Sequence, residues 1–245
     1  MGSRDIRIGT AGWSVSSRHA DAFPGEGSHL ERYAQRLNAV EINSSFYKPH
    51  QRKTYARWAA SVPAGFRFAV KLPKAMTHER RLADCSGLLE AFAGQVVGLG
   101  EKLGVLLVQL PPSLRFEHAV ADSFFAALRD RVAAPIACEP RHASWFTPDM
   151  GTWLTERRVA RVAADPAPVA AEGMGAGRPG GWDGLAYYRW HGAPRIYYSD
   201  YDAAALAALA ARLDADAARG AEVWCIFDNT AEGAALGNAL SLGER

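Results

Sequence analysis

Eight short apolar runs recur along the chain, and nearly every run ends in charged or amide residues. In chain order these ends are Thr10, Glu41 with Asn43, Lys71, Gln109, Glu139 with Arg141, Asp165, Arg189 with His191, and Asp228 with Asn229. Helical patterns separate the runs, which is typical of parallel strands with helices outside the sheet. Eight such units favour an α/β fold of the TIM-type (β/α)8 barrel class, with a site where the strands end.

A length of 245 residues suits one such barrel, because these barrels typically take about 250 residues. We predict a single domain over residues 1–245, since neither an internal repeat nor a linker divides the sequence. Residues 165–184 are rich in proline, glycine and alanine, and we expect a flexible loop there in place of part of the sixth crossover. An open doubly wound sheet is the alternative architecture.

Composition disfavours several classes of protein. The formal net charge of +2 is too mild to indicate a dedicated nucleic-acid-binding domain. No run approaches the roughly 18 apolar residues of a membrane span and no signal peptide is apparent, so a cytoplasmic location away from membranes is expected. The three cysteines, Cys85, Cys138 and Cys225, lack CxxC spacing and predict buried thiols in a reducing compartment.

Side-chain alternation makes the polar strand ends informative, because residues two apart in a strand point to the same face. Three pairs have this spacing: Glu41 with Asn43, Glu139 with Arg141, and Arg189 with His191. Over a barrel axis, carboxylates would then face cations, and such neighbours shift pKa values in opposite directions. The alternative is an ion-pair network that only holds strand ends together. For the cluster as a whole a functional site is favoured, since burying so much charge is costly.

The expected catalytic residues are Glu41, Glu139, His191 and Asp228. Glu41 and Glu139 would form the acid/base pair, and His191 would polarise a carbonyl or hydroxyl group. The expected substrate-binding residues are Trp13, Asn43, Lys71, His78, Gln109, Arg141, His142, Arg189 and Asn229. The cofactor is open, and a divalent metal held by Glu139, His191 and Asp228 is one option. Aromatic residues near the carboxyl ends of the strands, such as Trp13, either stack on a ligand ring or close the barrel mouth by hydrophobic packing.

Several segments of the chain resemble one known family. They are Ile8-Gly-Thr-Ala-Gly-Trp-Ser14, Val40-Glu-Ile-Asn-Ser-Ser-Phe-Tyr47, Val70-Lys71 with Thr77-His78, Leu99-Gly-Glu-Lys-Leu-Gly104, Leu107-Val-Gln-Leu-Pro-Pro-Ser113, Glu139-Pro-Arg-His-Ala-Ser-Trp145, Tyr188-Arg-Trp-His-Gly192 and Phe227-Asp-Asn-Thr230. Together they resemble the YecE-like family, domain of unknown function 72, across almost the whole chain. The resemblance implies a TIM-barrel fold and no particular activity. The family's motif residues correspond to the polar candidate residues named above, from Glu41 to Asn229.

Two functions from different classes follow from these residues. The first is an enzyme, either a hydrolase of phosphodiester or glycosidic bonds or an isomerase, that acts on a small sugar-like or phosphorylated substrate. Lys71, Arg141 and Arg189 would bind its anionic group. The alternative is a non-catalytic binding protein for nucleic acid or another phosphate-bearing ligand. Seven basic residues support it: Lys48, Arg52, Lys53, Arg57, Lys74, Arg80 and Arg81. The near-neutral net charge argues against nucleic acid, so the expected partner is a small polar or anionic ligand; the oligomeric state stays open.

Overall fold

The computed structural model describes residues 6–168 and 175–244, in which strands and helices alternate. The strands are β1 (Arg7–Thr10), β2 (Ala39–Ile42), β3 (Arg67–Lys71), β4 (Leu103–Gln109), β5 (Ile136–Glu139), β6 (Val159–Arg161), β7 (Ala163–Asp165), β8 (Gly180–Gly181), β9 (Leu185–Trp190) and β10 (Glu222–Phe227). The α-helices are α1 (His29–Tyr33), α2 (Arg52–Ala60), α3 (Ser86–Val96), α4 (His118–Arg131), α5 (Pro148–Glu156), α6 (Ala203–Ala218) and α7 (Ala234–Gly243). Short 3-10 turns and one π-helical turn, Ala75–Glu79, complete the set.

The strands form two sheets, ordered β1-β10-β9-β7 and β2-β3-β4-β5-β6-β8. Within the described ranges every strand pair is parallel except β6 with the two-residue β8. The sheets approach each other at two places. Val162 alone separates β6 from β7, and a single bridge joins Ala11, after β1, to Glu41 in β2. The predicted α/β fold with parallel strands is confirmed.

Alternation along the strands divides the apolar side chains into two layers. One layer lies between the strands and the helices, and the other is the inner layer: Ala39, Ala69, Val105, Leu107, Ala137, Ala160, Val162, Leu185, Tyr187, Trp224 and Ile226. A Cβ placed on Gly104 in β4 would lie 2.4 Å from the Trp224 ring in β10. Because β4 and β10 belong to different sheets, the inner layer is one core shared by both sheets.

Local sequence signals set the helix boundaries. Ser28 and Glu31 form a capping box at the start of α1, where each side chain accepts a hydrogen bond from the other residue's backbone N–H. The Asp202 side chain caps α6 by accepting from the Ala205 N–H. The buried face of α6 holds leucines at helical spacing, and each contributes about 1.5–3 kcal/mol by leaving water. The fold therefore rests on amphipathic helices around an aliphatic interior.

The segment predicted as a loop, residues 165–184, has paired backbone at both ends. Asp165 is the last residue of β7, and Gly180 and Gly181 pair with β6. Residues 169–174 lie outside the described residues, so flexibility of this segment stays a prediction. The three cysteines are buried thiols, as predicted. In the described ranges, none of the helices is long and apolar enough to cross a membrane.

Candidate active site

The candidate site lies directly above the inner layer, two residues further along each strand toward its carboxyl end. Six polar side chains stand two residues beyond inner-layer positions on β2, β3, β4, β5, β9 and β10: Glu41, Lys71, Gln109, Glu139, Arg189 and Asp228. All six are buried. Because side chains two apart share a face, the interior packing that fixes the aliphatic layer also fixes these groups. We call this end of the sheets, with the loops that follow it, the rim.

Arg189 lies at the centre of the rim and is only 1% exposed. Its guanidinium grips Glu41 in a fork, with Nε 2.9 Å from Oε2 and Nη2 2.7 Å from Oε1. Nη1 donates to Glu139 Oε2 at 3.0 Å, and Nη2 lies 3.1 Å from Asp228 Oδ2. Burial opposes the positive charge, but the three carboxylates outweigh it and raise the pKa of Arg189. Arg189 is thus a fixed cation that balances carboxylates, which does not fit its predicted substrate-binding role.

Glu41 is enclosed completely. It has no exposed surface, and besides the Arg189 fork it accepts a hydrogen bond of 3.0 Å from the Tyr187 hydroxyl. A saturated carboxylate without access to a ligand cannot exchange protons with one, so the predicted acid/base role of Glu41 does not fit this geometry. Tyr187 was missed by the sequence reasoning. The signal for it was present, since Tyr187 stands two residues before Arg189 on the same strand face.

His191 bridges two carboxylates. Its Nδ1 lies 3.0 Å from Asp228 Oδ2, and its Nε2 lies 3.2 Å from Glu139 Oε1. Burial favours the neutral ring, but Glu139 and the hydrogen bond to Asp228 outweigh burial and raise the pKa of His191. Both ring nitrogens then donate, as an imidazolium requires. His191 therefore links Glu139 to Asp228 as a cation.

The suggested metal ligands do not form a metal site. Both nitrogens of His191 are occupied by the carboxylates that were to share the metal, Glu139 and Asp228. The Arg189 guanidinium contacts both carboxylates as well, and its charge repels a divalent cation. No group of three or more His, Cys, Asp or Glu side chains in the described part of the chain has an arrangement that could hold a metal ion. This arrangement does not favour a metal held by this trio, and the metal stays a prediction that nothing here tests.

Glu139 and Asp228 differ in what remains open. Glu139 Oε1 accepts from Arg141 Nη2 at 3.0 Å and from His191, while its Oε2 accepts from Arg189. Burial opposes ionisation, yet Arg189 and His191 hold the pKa of Glu139 well below its usual range. Arg189 and His191 also outweigh burial at Asp228 and lower its pKa. No hydrogen bond from the described residues reaches Asp228 Oδ1, so Asp228 is the ionised carboxylate with an oxygen to offer.

Lys71 is a basic residue of the rim whose amine has no hydrogen-bond or ion-pair partner among the described residues. The residue is 6% exposed, and its Nζ forms neither a hydrogen bond nor an ion pair with any described residue. Its closest aromatic contact is the Phe46 ring, whose centroid lies 4.1 Å from Nζ. Burial and the nearby Arg189 charge lower the pKa of Lys71 to about 8, despite the neighbouring carboxylates. The amine is therefore close to its titration point at physiological pH.

His78 and Arg141 lie on the same side of the rim as Lys71, and Arg141 brings further positive charge there. His78 belongs to the π-helical turn after β3; its Nδ1 lies 2.9 Å from Thr77 Oγ1, and its ring packs edge-on against Phe46. Burial, and then the Lys71 and Arg141 charges, lower the pKa of His78. Arg141 uses Nε and Nη2 for Glu139, which leaves Nη1 without a described partner.

Two predicted binding residues have local packing roles. His142 caps the turn that follows β5, because its Nδ1 accepts from the Ser144 N–H at 3.1 Å. The side chain of Trp13 packs edge-on against Trp58 of α2, with ring centroids 4.9 Å apart. His142 therefore stabilises a turn, and Trp13 matches the alternative of hydrophobic packing and not that of a free stacking surface.

Two polar strand ends point away from the inner layer. Asn229 is fully buried and donates through Nδ2 to Ser199 O and Asn238 Oδ1, at 2.9 and 2.8 Å. Asp165 accepts from the Tyr201 hydroxyl at 2.8 Å. Both contacts lead toward the packing of α6 and α7 and not toward the rim. These contacts of Nδ2 do not support the predicted binding role of Asn229, whose Oδ1 is buried without a hydrogen-bond partner in the described structure; the role stays a prediction.

Asn43 and Gln109 complete the rim. Asn43 Oδ1 is buried without a hydrogen-bond partner in the described structure, so it is an acceptor that a ligand or water can satisfy. Gln109 donates only a long hydrogen bond of 3.3 Å, from Nε2 to Leu110 O. Both residues retain polar atoms for a ligand, as predicted from their spacing. Tyr197, from the loop after β9, was missed; its ring lies edge-on to His191, and no periodic pattern marks that loop.

Comparison with known proteins places the chain in a family. A family model described as "Protein of unknown function DUF72" matches residues 7–245. The chain belongs to the DUF72 family. Among relatives of this DUF72 protein, the UPF0759 protein YecE of Escherichia coli K12 is 28% identical over 149 residues, which are 58% of this chain and 54% of that protein. The UPF0759 protein YunF of Bacillus subtilis 168 is 28% identical over 152 residues, or 58% and 53% of the two proteins. The matched part thus spans about half the length of these relatives.

Solved structures resemble this chain over nearly its whole length. A DUF72 family protein from Enterococcus faecalis V583 superposes with a TM-score of 0.79 at 24% identity, covering 98% of this chain and 94% of that one. A DUF72 family protein from Thermotoga maritima MSB8 gives 0.78 at 22% identity, covering 98% of each. A sugar phosphate isomerase/epimerase from Parabacteroides distasonis ATCC 8503 gives 0.52 at 13% identity, covering 99% and 93%. These likenesses show a common fold.

Proposed function

We propose that this DUF72 protein is an enzyme that transfers protons on a small anionic substrate bound at the rim. The observation that supports it most is the unpaired, buried amine of Lys71, which shares the rim with the open Asp228 Oδ1. A purely structural ion-pair network would leave no such group, because burying an unpaired cation costs free energy. Around Lys71 the other charges are locked in place by Arg189, which gives the site the rigidity that proton transfer needs.

The same proposal includes a closed TIM-type (β/α)8 barrel. The run 159–165 contributes β6 to one sheet and β7 to the other, and Ala11 bridges to Glu41 where the sheets meet again. Gly9 in β1 supports close contact there, since a Cβ on it would lie 2.1 Å from Ala39 O in β2. If β6 and β7 are counted as one strand and β8 is set aside, eight parallel strands contribute to the proposed barrel around the inner layer. In such barrels active sites lie at the carboxyl ends of the strands.

The roles follow from which atoms are open. Arg141 Nη1 and His78 bind the anionic group, with charge-assisted hydrogen bonds from Arg141. Asp228 Oδ1 accepts a proton from the substrate, and His191 and Arg189 keep this carboxylate ionised. Lys71 donates its proton to a carbonyl or hydroxyl oxygen, and a pKa of about 8 suits donation near neutral pH. Glu41 and Glu139 hold Arg189 and His191 in position.

A sugar-phosphate-like substrate and an isomerisation fit these groups better than hydrolysis of a glycosidic bond. Glycosidases need a carboxylic acid with a raised pKa to protonate the leaving group, whereas the pKa of Glu139 and of Asp228 is lowered. The Parabacteroides distasonis protein is described as a sugar phosphate isomerase/epimerase, and its similarity to this chain is one of fold. It supports the substrate class by analogy only.

Binding of a phosphate-bearing probe tests the anion site directly. We expect ribose 5-phosphate to raise the melting temperature of the wild-type protein, because a ligand that binds only the folded state stabilises it. Arg141→Met should abolish this shift, since it removes a cation of the rim. Arg212→Met, a substitution of an exposed arginine on α6, is the matched control and should keep the shift. A wild-type protein indifferent to millimolar phosphate esters would refute the anion site.

Nucleic-acid binding without turnover is the weaker alternative. Of the basic residues that suggested it, Lys74 pairs with Glu79 at 3.2 Å, and Arg81 donates to the Ser113 hydroxyl at 3.0 Å. Surface charges satisfied in this way have less to offer to phosphates along a strand. Binding to single-stranded DNA that weakens steeply with salt would favour this alternative over the enzyme.

A further inference from the structure

The environment of the Lys71 amine differs from that of a lysine whose amine is held by the backbone. Lys102, by comparison, donates to two backbone oxygens, Ala59 O and Val62 O. Lys71 has no such partners among the described residues, and its Nζ rests over the Phe46 ring inside the rim. Permanent cations suffice to bind an anion, and Arg141 already supplies one. An amine that is buried, unpaired and held over an aromatic ring is instead set up to lose its proton and act as a nucleophile.

The groups that a covalent amine reaction requires also lie on the rim. Addition of an amine to a carbonyl needs a proton for the carbonyl oxygen, and loss of water needs a second transfer to that oxygen. The imidazolium of His191 and the carboxylate of Asp228 form a hydrogen-bonded pair that can hold and pass such a proton. The open Asp228 Oδ1 is free to remove a hydrogen from the adjacent carbon afterwards. Arg141 offers positive charge to an anionic group on the same molecule, and His78 lies beside it.

We propose that Lys71 Nζ forms an imine with the carbonyl carbon of a small anionic substrate, which rests on the proposed proton-transfer function and specifies a carbonyl substrate for it. In this reaction Lys71 is the nucleophile, and the His191–Asp228 pair replaces it as the proton donor. The neutral amine attacks the carbonyl carbon, a C–N bond forms as the C=O π bond breaks, and one proton of the amine passes to the carbonyl oxygen. The resulting hydroxyl leaves as water with one further proton, and a protonated C=N bond remains. Nothing is oxidised or reduced, and hydrolysis regenerates the amine and the carbonyl. The positive imine draws electrons from the neighbouring carbon, whose hydrogen Asp228 then removes.

Borohydride trapping tests this proposal. The full chain is incubated with dihydroxyacetone phosphate, pyruvate or ribose 5-phosphate, reduced with sodium borohydride, and analysed by intact-mass and peptide mass spectrometry. We expect one reduced adduct per chain on the peptide that contains Lys71 for at least one probe. Lys71→Met and Lys71→Arg should lower the labelling by at least tenfold, and the arginine variant keeps the positive charge. Lys53→Met, which removes an exposed lysine from α2, should label like the wild type.

Failure of the imine and failure of the proposed function give different results. Glycerol 3-phosphate has the same anionic group as dihydroxyacetone phosphate but no carbonyl. If it stabilises the wild type and not Arg141→Met, while no probe labels Lys71, the anion site stands and the imine is refuted. Labelling spread evenly over surface lysines would refute it equally. If glycerol 3-phosphate gives no stabilisation and no probe labels Lys71, both the imine and the proposed function fall.

Discussion

Arg189 is one side chain on which three buried carboxylates depend. Its guanidinium donates to Glu41 and Glu139 and lies 3.1 Å from Asp228. Removing one partner of a buried ion pair costs about 3–5 kcal/mol, because the remaining charge stays buried without compensation. We predict that Arg189→Met lowers the free energy of unfolding in urea by at least this amount.

The double variant Arg189→Met/Glu41→Gln is the control for Arg189. It should recover part of the lost stability, since one of the uncompensated charges is then absent. An Arg189→Met protein that unfolds at the wild-type urea concentration would show that the network contributes no stability.

Lys71 is predicted to weaken the fold in which it lies. Its pKa falls from 10.5 to about 8, which corresponds to roughly 3 kcal/mol against the buried, protonated amine. Because the folded pKa is depressed, the folded chain binds fewer protons than the unfolded chain between about pH 8 and 10.5, and stability rises with pH in that window. We predict that Lys71→Met raises the melting temperature at pH 7 and that this gain shrinks toward pH 10. The exposed-site control Lys53→Met should show neither effect.

His191 should titrate above the usual range for histidine, because Glu139 and Asp228 hold its proton. A raised folded pKa means that this contribution to stability is complete below the unfolded pKa and is lost as pH rises through the folded value. An NMR titration of the imidazole should therefore place the His191 pKa above 6.5, and Glu139→Gln should lower it. A midpoint at or below 6.5 in the wild type would contradict the imidazolium bridge.

At the scale of elements, β4 and β10 meet across the interior at Gly104 and Trp224. A Cβ on Gly104 would lie 2.4 Å from the indole, and overpacking of this kind typically costs about 1–3 kcal/mol. We predict that Gly104→Ala lowers the unfolding free energy by about that amount. The control is Gly94→Ala, on the exposed side of α3 with open space around it, which should raise stability by about 0.5–1 kcal/mol. Equal effects of the two substitutions would contradict the shared inner layer.

Strand periodicity predicted most of the fold and the gathering of Glu41, Glu139, Arg189 and Asp228. The site assignments that the contacts do not support arose because every polar residue at the end of an apolar run was counted, without asking which face of the strand its side chain occupies. On β7 the inner face passes through Val162 and Ala164, so Asp165 had to point outward. Asn229 directly follows Asp228, and His142 directly follows Arg141. Each therefore points away from the face that its neighbour occupies, and each was counted as a site residue for the same reason.

Other features of the rim had no sequence signal. Whether Glu41 is saturated depends on its contact with Arg189, which lies 148 residues further along the chain. The loop that supplies Tyr197 has no periodicity, and Tyr197 itself adopts a left-handed backbone conformation, with φ of 71°, that tertiary contacts must enforce. The division of labour among the carboxylates therefore follows from three-dimensional packing, not from residue type.

At the scale of the whole molecule, the parallel strands bring residues from across the chain to one rim, where most charges balance each other. Two groups stay open, the Lys71 amine and Asp228 Oδ1, with His78 and the positive charge of Arg141 nearby. Stability and function make opposite demands here, because burying an unpaired amine weakens the fold. This contrast supports the proposed enzyme over a purely structural network.

Hydrogen exchange into the substrate tests the proton-transfer claim most directly. Dihydroxyacetone phosphate and ribose 5-phosphate are incubated with the protein in D2O, and proton NMR follows the hydrogen on the carbon next to the carbonyl or aldehyde carbon. We predict exchange with the wild type, a loss of about 10²-fold or more in Asp228→Asn, and wild-type exchange in Asp183→Asn, an exposed control. Exchange that persists in a folded Asp228→Asn protein, or no exchange with either compound, would contradict the account.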